Sequence, residues 1–412
     1  MAKVKDMNLA DRGKASYEWA RANMGILEKS IERLEHEKPL HGISSALCLH
    51  VTKETSVLAL GLKRLGADVS LCAANPLSTQ DDIAAFLAMQ GVDVYAWRGE
   101  SMQEYYDCIR AVLSKKPNTI TDDGSDMHAM YHKEFFNAFK PLGGTEETTT
   151  GVIRLKALER ESKLAYPVIA VNDAYTKHLF DNRYGTGQST IDGIMRATSI
   201  LLAGKTVVVA GYGWVGKGIA NRARGMNAKV IVTEVDPIKA LEAYMDGFMV
   251  MPMLDACKYA DIIITATGQK RVVRSEHFNA MKDKVILANA GHFDVEIDVR
   301  WLEDNANSKR QIRDNLDEYN LNGKRIYLIA KGRIANLVAA EGHPPEVMAM
   351  SFANQLLSIV YIVRNHPKLS NTVYRVPEEI DAQVAANALE AMGVKIDRLS
   401  DEQLEYAKSW AI

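Results

Sequence analysis

Residues 205–234, KTVVVAGYGWVGKGIANRARGMNAKVIVTE, decide the fold of this chain. A β-branched run (Val207, Val208, Val209) enters a glycine-rich turn, Gly211-x-Gly213-x-x-Gly216. A helical segment follows, then a second apolar run that ends in an acid, Glu234. Each part has a physical task in holding a dinucleotide. Gly211 permits the tight turn, Gly213 lets a pyrophosphate approach the backbone, and Gly216 lets helix and strand pack closely. The helix start presents free N–H groups and a positive dipole end to phosphate. Glu234, 18 residues beyond Gly216, is placed to bond the two hydroxyls of an adenosine ribose. Its charge repels a 2′-phosphate and so favours NAD over NADP, with Lys239 nearby as a mild counter-argument. A lone glycine fingerprint is weak. Strand, fingerprint, helix, strand and acid in that order are specific.

Outward from this unit, strands are expected at Ile262–Ala266, Val285–Asn289 and Ile326–Ile329, with helices between them. The first half alternates in the same way but has no fingerprint. Its strands are expected at Ile43–His50, Val69–Ala73, Val92–Trp97, Asn118–Thr121 and Val168–Val171, and its helices at Thr55–Leu65, Gln80–Met89 and Met102–Leu113. The pattern predicts an α/β chain with two doubly wound parallel-sheet, Rossmann-like domains. Residues 1–183 with 345–376 form the substrate-binding domain, 184–344 the NAD-binding domain, and 377–412 a short helical tail suited to oligomerisation. Tyr184–Ser189 (YGTGQS) and Glu341–Pro345 (EGHPP) are the expected hinges, where glycine absorbs rotation and proline stops a helix. The apolar helix 346–363 returns to the first domain or packs on another subunit. Ligands of such sheets sit outside the carboxyl ends of the strands. A cleft between the domains is therefore expected to collect His50, Thr52, Asn75, Thr79, Asp122, Asp123, Asn172, Asp173, Asn289 and His292.

Composition narrows the function. A chain of 412 residues exceeds one compact core. A net charge of −2 gives no basic field for nucleic acid, and no apolar run approaches the ~20 residues of a membrane span. The start, MAKVKDMNLADRGK, has no apolar signal region. The four cysteines are scattered without a CxxC pair, as expected of buried small hydrophobes in a reducing cytoplasm. The expected partner is thus a small-molecule substrate. His128 and His132 are spaced like a zinc pair on a helix. Ala129 stands where a metalloprotease carries glutamate and no third ligand is evident, so no metal is expected.

Four stretches are polar beyond their apolar flanks: CLHVTKET (48–55), TDDGSD (121–126), GGTEETTTG (143–151) and TKHLFDNRYG (176–185). Lys177 and Asp181 are four apart, so on a helix the acid can hold the amine. A buried lysine near a donor hydroxyl can serve as a base in hydride chemistry. Each stretch also has an ordinary reading. A Lys/Asp pair is commonly a solvated helix face, Asp122–Asp123 before glycine a turn, and EETTTG a helix start. His50 and His292 are open between site and structure.

Together the segments resemble one family, the S-adenosylhomocysteine hydrolases, over nearly the whole chain. The resemblance rests on CLHVTKET, NPLSTQDD, VYAWRGES, TDDGSD, EETTTGV, VND-x-x-TK-x-x-FDN-x-YG, IDGI, VVVAGYGWVGKG, TEVDPIKALEAYMDG, NAGHFDVEIDV and EGHPPEVM. The PLSTQDD and YGTGQS variants and the short tail are closest to its archaeal-type branch. The resemblance implies a homotetrameric hydrolase with NAD held as a catalytic cofactor. Its reaction is 3′-oxidation, loss of homocysteine from C5′, water addition and reduction. It implies Lys177 as the base at the 3′-hydroxyl, held by Asp181 and Asn182. Asp123 would work on the C4′ proton, with His50 near the leaving group and water. Glu147 would bond the ribose hydroxyls and His292 would approach the 5′ side. Thr52 and Glu54 would read the base, under His343 and Met348. Thr148, Thr149, Thr150, Asn182, Gly213, Trp214, Val215, Glu234, Ala290 and Asn336 would contact NAD, beside Gly211 and Gly216 of the fingerprint.

Three departures stand out. Asp82 occupies a position where many members have histidine, and Thr186 replaces a cysteine beside the nicotinamide. The chain stops at SWAI without the Lys/Tyr-bearing ending that reaches a neighbouring subunit's NAD, which puts that contact in question. The competing readings are an NAD-dependent 2-hydroxy acid dehydrogenase, a sensor without turnover, and an S-inosylhomocysteine hydrolase. The first lacks its arginine clamp and His–acid pair. The second is disfavoured by the presence of Lys177, Asp181 and His50. Glu54, an acceptor for an exocyclic amine, favours adenine over hypoxanthine.

Overall fold

Val207, Val208 and Val209 are fully buried in the strand Thr206–Ala210, near the middle of an eight-stranded sheet. Covered on both faces, such a strand reads as a continuous β-branched run. In this computed structural model, which describes residues 3–410, six parallel strands run in the order Met249–Val250, Lys229–Thr233, Thr206–Ala210, Ile262–Thr265, Val285–Asn289, Lys324–Ile329. That is the 3-2-1-4-5-6 order of a dinucleotide-binding sheet. An antiparallel edge, Leu316–Leu321 then Ser308–Arg313, has no counterpart in the sequence prediction. Ser308–Arg313 is exposed throughout and carries no apolar alternation.

The first sheet has seven parallel strands: Asp93–Tyr95, Asp68–Ala73, Ser44–Leu49, Thr119–Asp122, Gly143–Glu146, Val168–Ala170, Val373–Arg375. Its first six repeat the same order. Each sheet therefore reverses direction between its first and fourth strands, where a crevice opens at the carboxyl ends. In the first sheet this point lies between His50 and Asp123. In the second it lies between Gly211 and Ala266.

The helix Pro345–Asn365 returns to the first sheet, where Phe352, Leu356 and Ile359 share a core with Leu47, Leu58 and Ile169. Against the sequence reading, 345–368 is long and apolar enough to cross a membrane, with a mean hydropathy of 1.4. Yet 72% of that window is buried inside the protein, so its apolarity serves the core. Glu378–Ala391 packs on this helix and on Gly25–Glu35, and Asp401–Lys408 stands exposed. Of the terminal SWAI, Ala411 and Ile412 lie outside the described residues.

The expected hinge segment Tyr184–Ser189 is helical, and Gly185 is right-handed at φ −62°. The glycines there serve contact: a Cβ on Gly187 would come within 2.6 Å of the Gly218 backbone. Glu341–Pro344 is a connecting loop in which Gly342 takes φ +86°.

Candidate active site

The two crevices face one another across a cleft of about 1380 Å³. Every residue to which the family resemblance gave a role lines it except Gly216. Gly211 turns at φ +96°, where a Cβ would crowd the Ala266 carbonyl at 2.8 Å. At Gly213 a Cβ would meet nothing within 4 Å, so an open cradle lies before the helix Trp214–Gly225. At Gly216 a Cβ would overlap the Gly211 carbonyl oxygen, so this glycine seats the turn from beneath. Trp214 and Val215 line the wall above it. Glu234 accepts from the backbone of Tyr212 (2.7 Å), Val235 (2.7 Å) and Asp236 (3.2 Å), which fixes its carboxylate beside the cradle. Across the cleft, Thr148, Thr149 and Thr150 open the helix Thr149–Arg160, and the Thr148 side chain makes no cap bond. Asn336 lines the floor near Ala290 and Gly291. Its buried Oδ1 has no protein partner, although its Nδ2 donates to Ser189 at 3.2 Å. An open cradle, an acid at ribose position and an orphaned amide oxygen fit a dinucleotide with a carboxamide end.

Lys177 is the centre of the first-sheet wall. The chain leaves the short helix Tyr175–Lys177 into a π-helical stretch, His178–Gly185. The wider turn aligns both i+4 and i+5 with the amine, and such insertions concentrate at functional sites. Lys177 Nζ donates to Asp181 Oδ1 (3.0 Å) and Asn182 Oδ1 (2.8 Å) and lies 3.4 Å from Glu147 Oε1. Lys177 is 3% exposed, so the solvated-face reading of the pair fails. Burial works to discharge the amine, but Asp181 and Glu147 outweigh it and hold its pKa well above the ordinary lysine value. Burial raises Glu147 to about 6, against the pull of Lys177. Ser351 donates to one Glu147 oxygen and Gln355 to the other, at 2.6 Å.

Asp123 stands between two imidazoles, with His50 Nε2 at 3.4 Å and His292 Nδ1 at 3.6 Å. His50 Nδ1 is 2.8 Å from Ser78 Oγ. Burial lowers the His50 pKa to about 4 against the opposing charge of Asp123, so the ring is neutral at pH 7. Farther along, Thr52, Glu54, His343 and Met348 complete the wall. Glu54 Oε1 is buried without a hydrogen bond, although Lys53 Nζ lies 3.2 Å away as an ion pair. Burial raises the Glu54 pKa, with Lys53 opposing.

Several expected strand-end groups do not line the cleft: Asn75, Thr79, Asp122, Asn172, Asp173 and Asn289. Most of these shape the loops behind it. Asp122 accepts from the backbone of Asp123 and His128, each at 2.9 Å, so the two acids divide between turn and cleft. Asn289 Nδ2 donates to the carbonyls of Gly291, Phe293 and Gly332 and holds the loop that carries His292. Asn172 Oδ1 accepts from Thr149 and Asn182 and ties the threonines to the lysine network. Asp122, His128 and Glu146 lie within ligand distance of one another. Both His128 nitrogens, however, are engaged by Tyr166 (2.8 Å) and the Thr145 carbonyl (3.2 Å). His132 is spent on the His128 carbonyl and the Ala165 amide.

Sequence reasoning missed Ser78, Ser351, Gln355 and Asp381. Asp381 accepts from the backbone of Tyr175 (2.6 Å) and Thr176 (2.9 Å), capping the turn that presents Lys177 from 204 residues beyond it in the chain. No local signal marks such a partner. Ser351 and Gln355 could have been found as polar residues four apart in a largely apolar helix, alongside Asn354 and Ser358.

Comparison with known proteins agrees with this geometry. The family description "S-adenosyl-L-homocysteine hydrolase" matches residues 1–142, and "S-adenosyl-L-homocysteine hydrolase, NAD binding domain" matches 182–342. An adenosylhomocysteinase of Sulfurisphaera tokodaii is 59% identical over 409 residues, 99% of this chain and 98% of that one. One from Aquifex aeolicus is 58% identical over 99% of this chain and 98% of its own. An S-inosyl-L-homocysteine hydrolase of Methanocaldococcus jannaschii is 52% identical over all of this chain and 99% of its own.

Proposed function

This chain belongs to the S-adenosyl-L-homocysteine hydrolase family, and from that membership we propose how its cleft converts S-adenosyl-L-homocysteine reversibly to adenosine and L-homocysteine. It is an NAD-using thioether hydrolase of the methyl cycle. The observation that carries the residue assignments is Lys177, a buried amine clamped by two side chains and facing both the fingerprint cradle and the first-sheet crevice.

A thioether is a poor leaving group until a carbanion forms beside it. When bound, NAD supplies a reversible hydride acceptor at C3′ of the ribose, and the resulting ketone acidifies the C4′ proton. Gly211, Gly213, Trp214, Val215, Glu234, Ala290, Asn336 and Thr148–Thr150 would hold it. Glu147 accepts from the ribose hydroxyls and fixes their register. Lys177 takes the 3′-hydroxyl proton once its own has passed to Glu147, 3.4 Å away. It rests as an ammonium, and a hydroxyl that donates to Glu147 weakens one of the two carboxylates that hold it so. Asp181 and Asn182 keep its lone-pair axis aimed. Asp123 removes the C4′ proton, gives it up through His50 (3.4 Å) to the departing sulfur, and later delivers to C4′ a proton taken from the entering water. His50, neutral and supported by Ser78, exchanges protons with the departing sulfur and the entering water. His292 closes the 5′ side.

Glu54 Oε1, ion-paired with Lys53 but without a hydrogen bond, suits the exocyclic amine of adenine. Lys53 beside it is the one feature that favours a second reading, hypoxanthine, because an ammonium can donate to a 6-carbonyl. Residues 1–183 with 345–376 would bind substrate and 184–344 would bind NAD, supported by the strands each contributes. Four buried free cysteines support a cytoplasmic setting. Exposed Ile238, Leu241, Tyr244 and Met245 on one helix support a homotetramer, with the exposed end of 377–412 as a further contact. The test is thiol release from S-adenosyl- and S-inosyl-homocysteine, with and without NAD. Release from the adenosyl substrate that requires NAD and leaves no net NADH is expected. No thiol from either substrate would refute the assignment.

A further inference from the structure

We propose that Thr186 and His343 are positioning residues that set the basicity of Lys177 by acting through Asp181. This rests on the reading of Lys177 as the base. Asp181 uses one oxygen for the amine and places the other 3.2 Å from His343 Nδ1. His343 Nε2 in turn lies 3.1 Å from Thr186 Oγ1. The four groups form one unbroken line. A neutral imidazole has a single N–H, and a carboxylate can only accept. Burial opposes ionisation of Asp181, but the charge of Lys177 and the hydrogen bonds from His343 and Lys177 outweigh it and hold its pKa well below the ordinary range. The His343 proton therefore sits on Nδ1, Nε2 accepts, and the Thr186 hydroxyl must donate. Thr186 thereby fixes the tautomer that supports Asp181.

The ring has a prepared seat. A Cβ on Gly185 would come within 3.1 Å of His343 Cγ and Nδ1, so a side chain there would press the imidazole by a few tenths of an ångström. The loop is anchored by Glu341, which pairs with Lys53 (3.1 Å) and Arg196 (3.2 Å). A carboxylate that already accepts from His343 draws less strongly on the ammonium. Loss of that bond concentrates its charge on Lys177, and the proton is held more tightly. The other charged groups facing Lys177 are Glu147 and Asp123, with His178 adjacent in the chain. His50 faces His343. A change at Thr186 leaves all of these in place.

The test compares Thr186→Val, which keeps shape and loses the donor, with Thr186→Ser, which keeps the donor. The kcat of the NAD-loaded enzyme is followed against pH, with melting temperature and bound NAD as controls. In Thr186→Val the acidic limb is expected to move up by about one pH unit. That lowers kcat about tenfold along the whole limb below the Lys177 pKa, with KM changed little. Thr186→Ser should follow wild type. His343→Gln should show the same shift, and adding Thr186→Val to it should change nothing more. Without turnover, the pH dependence of Lys177 acetylation by acetic anhydride in the apoprotein should shift in the same direction. An unchanged kcat in Thr186→Val, an unmoved acetylation profile, or additive effects of the two substitutions would overturn the proposal. Absence of NAD-dependent thiol release in the wild type would instead overturn the functional reading.

Discussion

Replacing Gly151 by alanine should dislodge the acid that joins the two catalytic loops. Glu146 is fully buried on the strand beside Asp122. Its Oε1 accepts from the backbone of Gly124 and Thr148, each at 2.9 Å, and its Oε2 lies 2.7 Å from Ser125 Oγ. These bonds tie the loop after Asp123 to the turn between Glu147 and the cleft threonines. A Cβ on Gly151 would overlap the carboxyl group. Three lost bonds at ~1 kcal/mol each, plus the cost of buried donors left unpaired, give about 3–6 kcal/mol. At ~2 °C per kcal/mol for a domain of this size, melting should fall by about 10 °C. Glu146→Gln should cost only about 1 kcal/mol. The reason is that Ser125 can also donate to the Gly151 carbonyl, at 3.1 Å. A protonated Glu146, or its amide mimic, then donates to Ser125. Burial foremost, then the charges of Asp122 and Asp123, raises the Glu146 pKa well above the ordinary value. An acid with a raised folded pKa contributes stability fully present below its unfolded value of about 4 and lost as pH rises toward the folded value. Glutamine does not titrate, so the melting gap between Glu146→Gln and wild type should shrink from pH 5 to pH 8. Calorimetry across that range is the assay. A widening gap, or a Gly151→Ala protein that melts with wild type, would refute the reasoning.

Three further outcomes are expected. Lys177→Met should abolish thiol release and lower melting, because Asp181 and Glu147 are left buried without their ammonium, while bound NAD stays near wild type; retained turnover would remove Lys177 from the base role. Gly213→Val should weaken NAD binding at least tenfold with little change in melting, because the side chain enters an open cradle; titration calorimetry reads this. Asp381→Ala should lower melting by several degrees through the loss of the cap on residues 175–176 and lower kcat through Lys177, and Asp381→Asn should recover part of both.

The parts legible in the sequence were those where local pattern and burial coincide. Thr206–Ala210 and Val285–Asn289 are β-branched or apolar runs buried on both faces, and they lie where the pattern placed them. Gly143–Glu146 escaped because GGTE has no apolar signal; its burial comes from the strands on either side. The glycines of YGTGQS read as a hinge, and the close approach they also allow between helices, a property of the partner rather than of the segment, was not legible. In the site, residues adjacent in sequence to a motif were visible, and those that act from another element were not. Lys177 with Asp181 was legible. The π-helical turn that adds Asn182 to the same amine, and the grip of Ser351 and Gln355 on Glu147, depend on tertiary packing.

The central claim is that this cleft breaks a thioether by opening the C4′–H bond. The most direct measurement runs the reaction on unlabelled S-adenosyl-L-homocysteine in deuterium oxide over many turnovers and reads the adenosine by mass spectrometry and proton NMR. The account predicts deuterium at C4′, present with wild type and absent, along with turnover, when Asp123 is replaced by asparagine. Homocysteine release with C4′ fully protonated would show direct displacement at C5′ and contradict it.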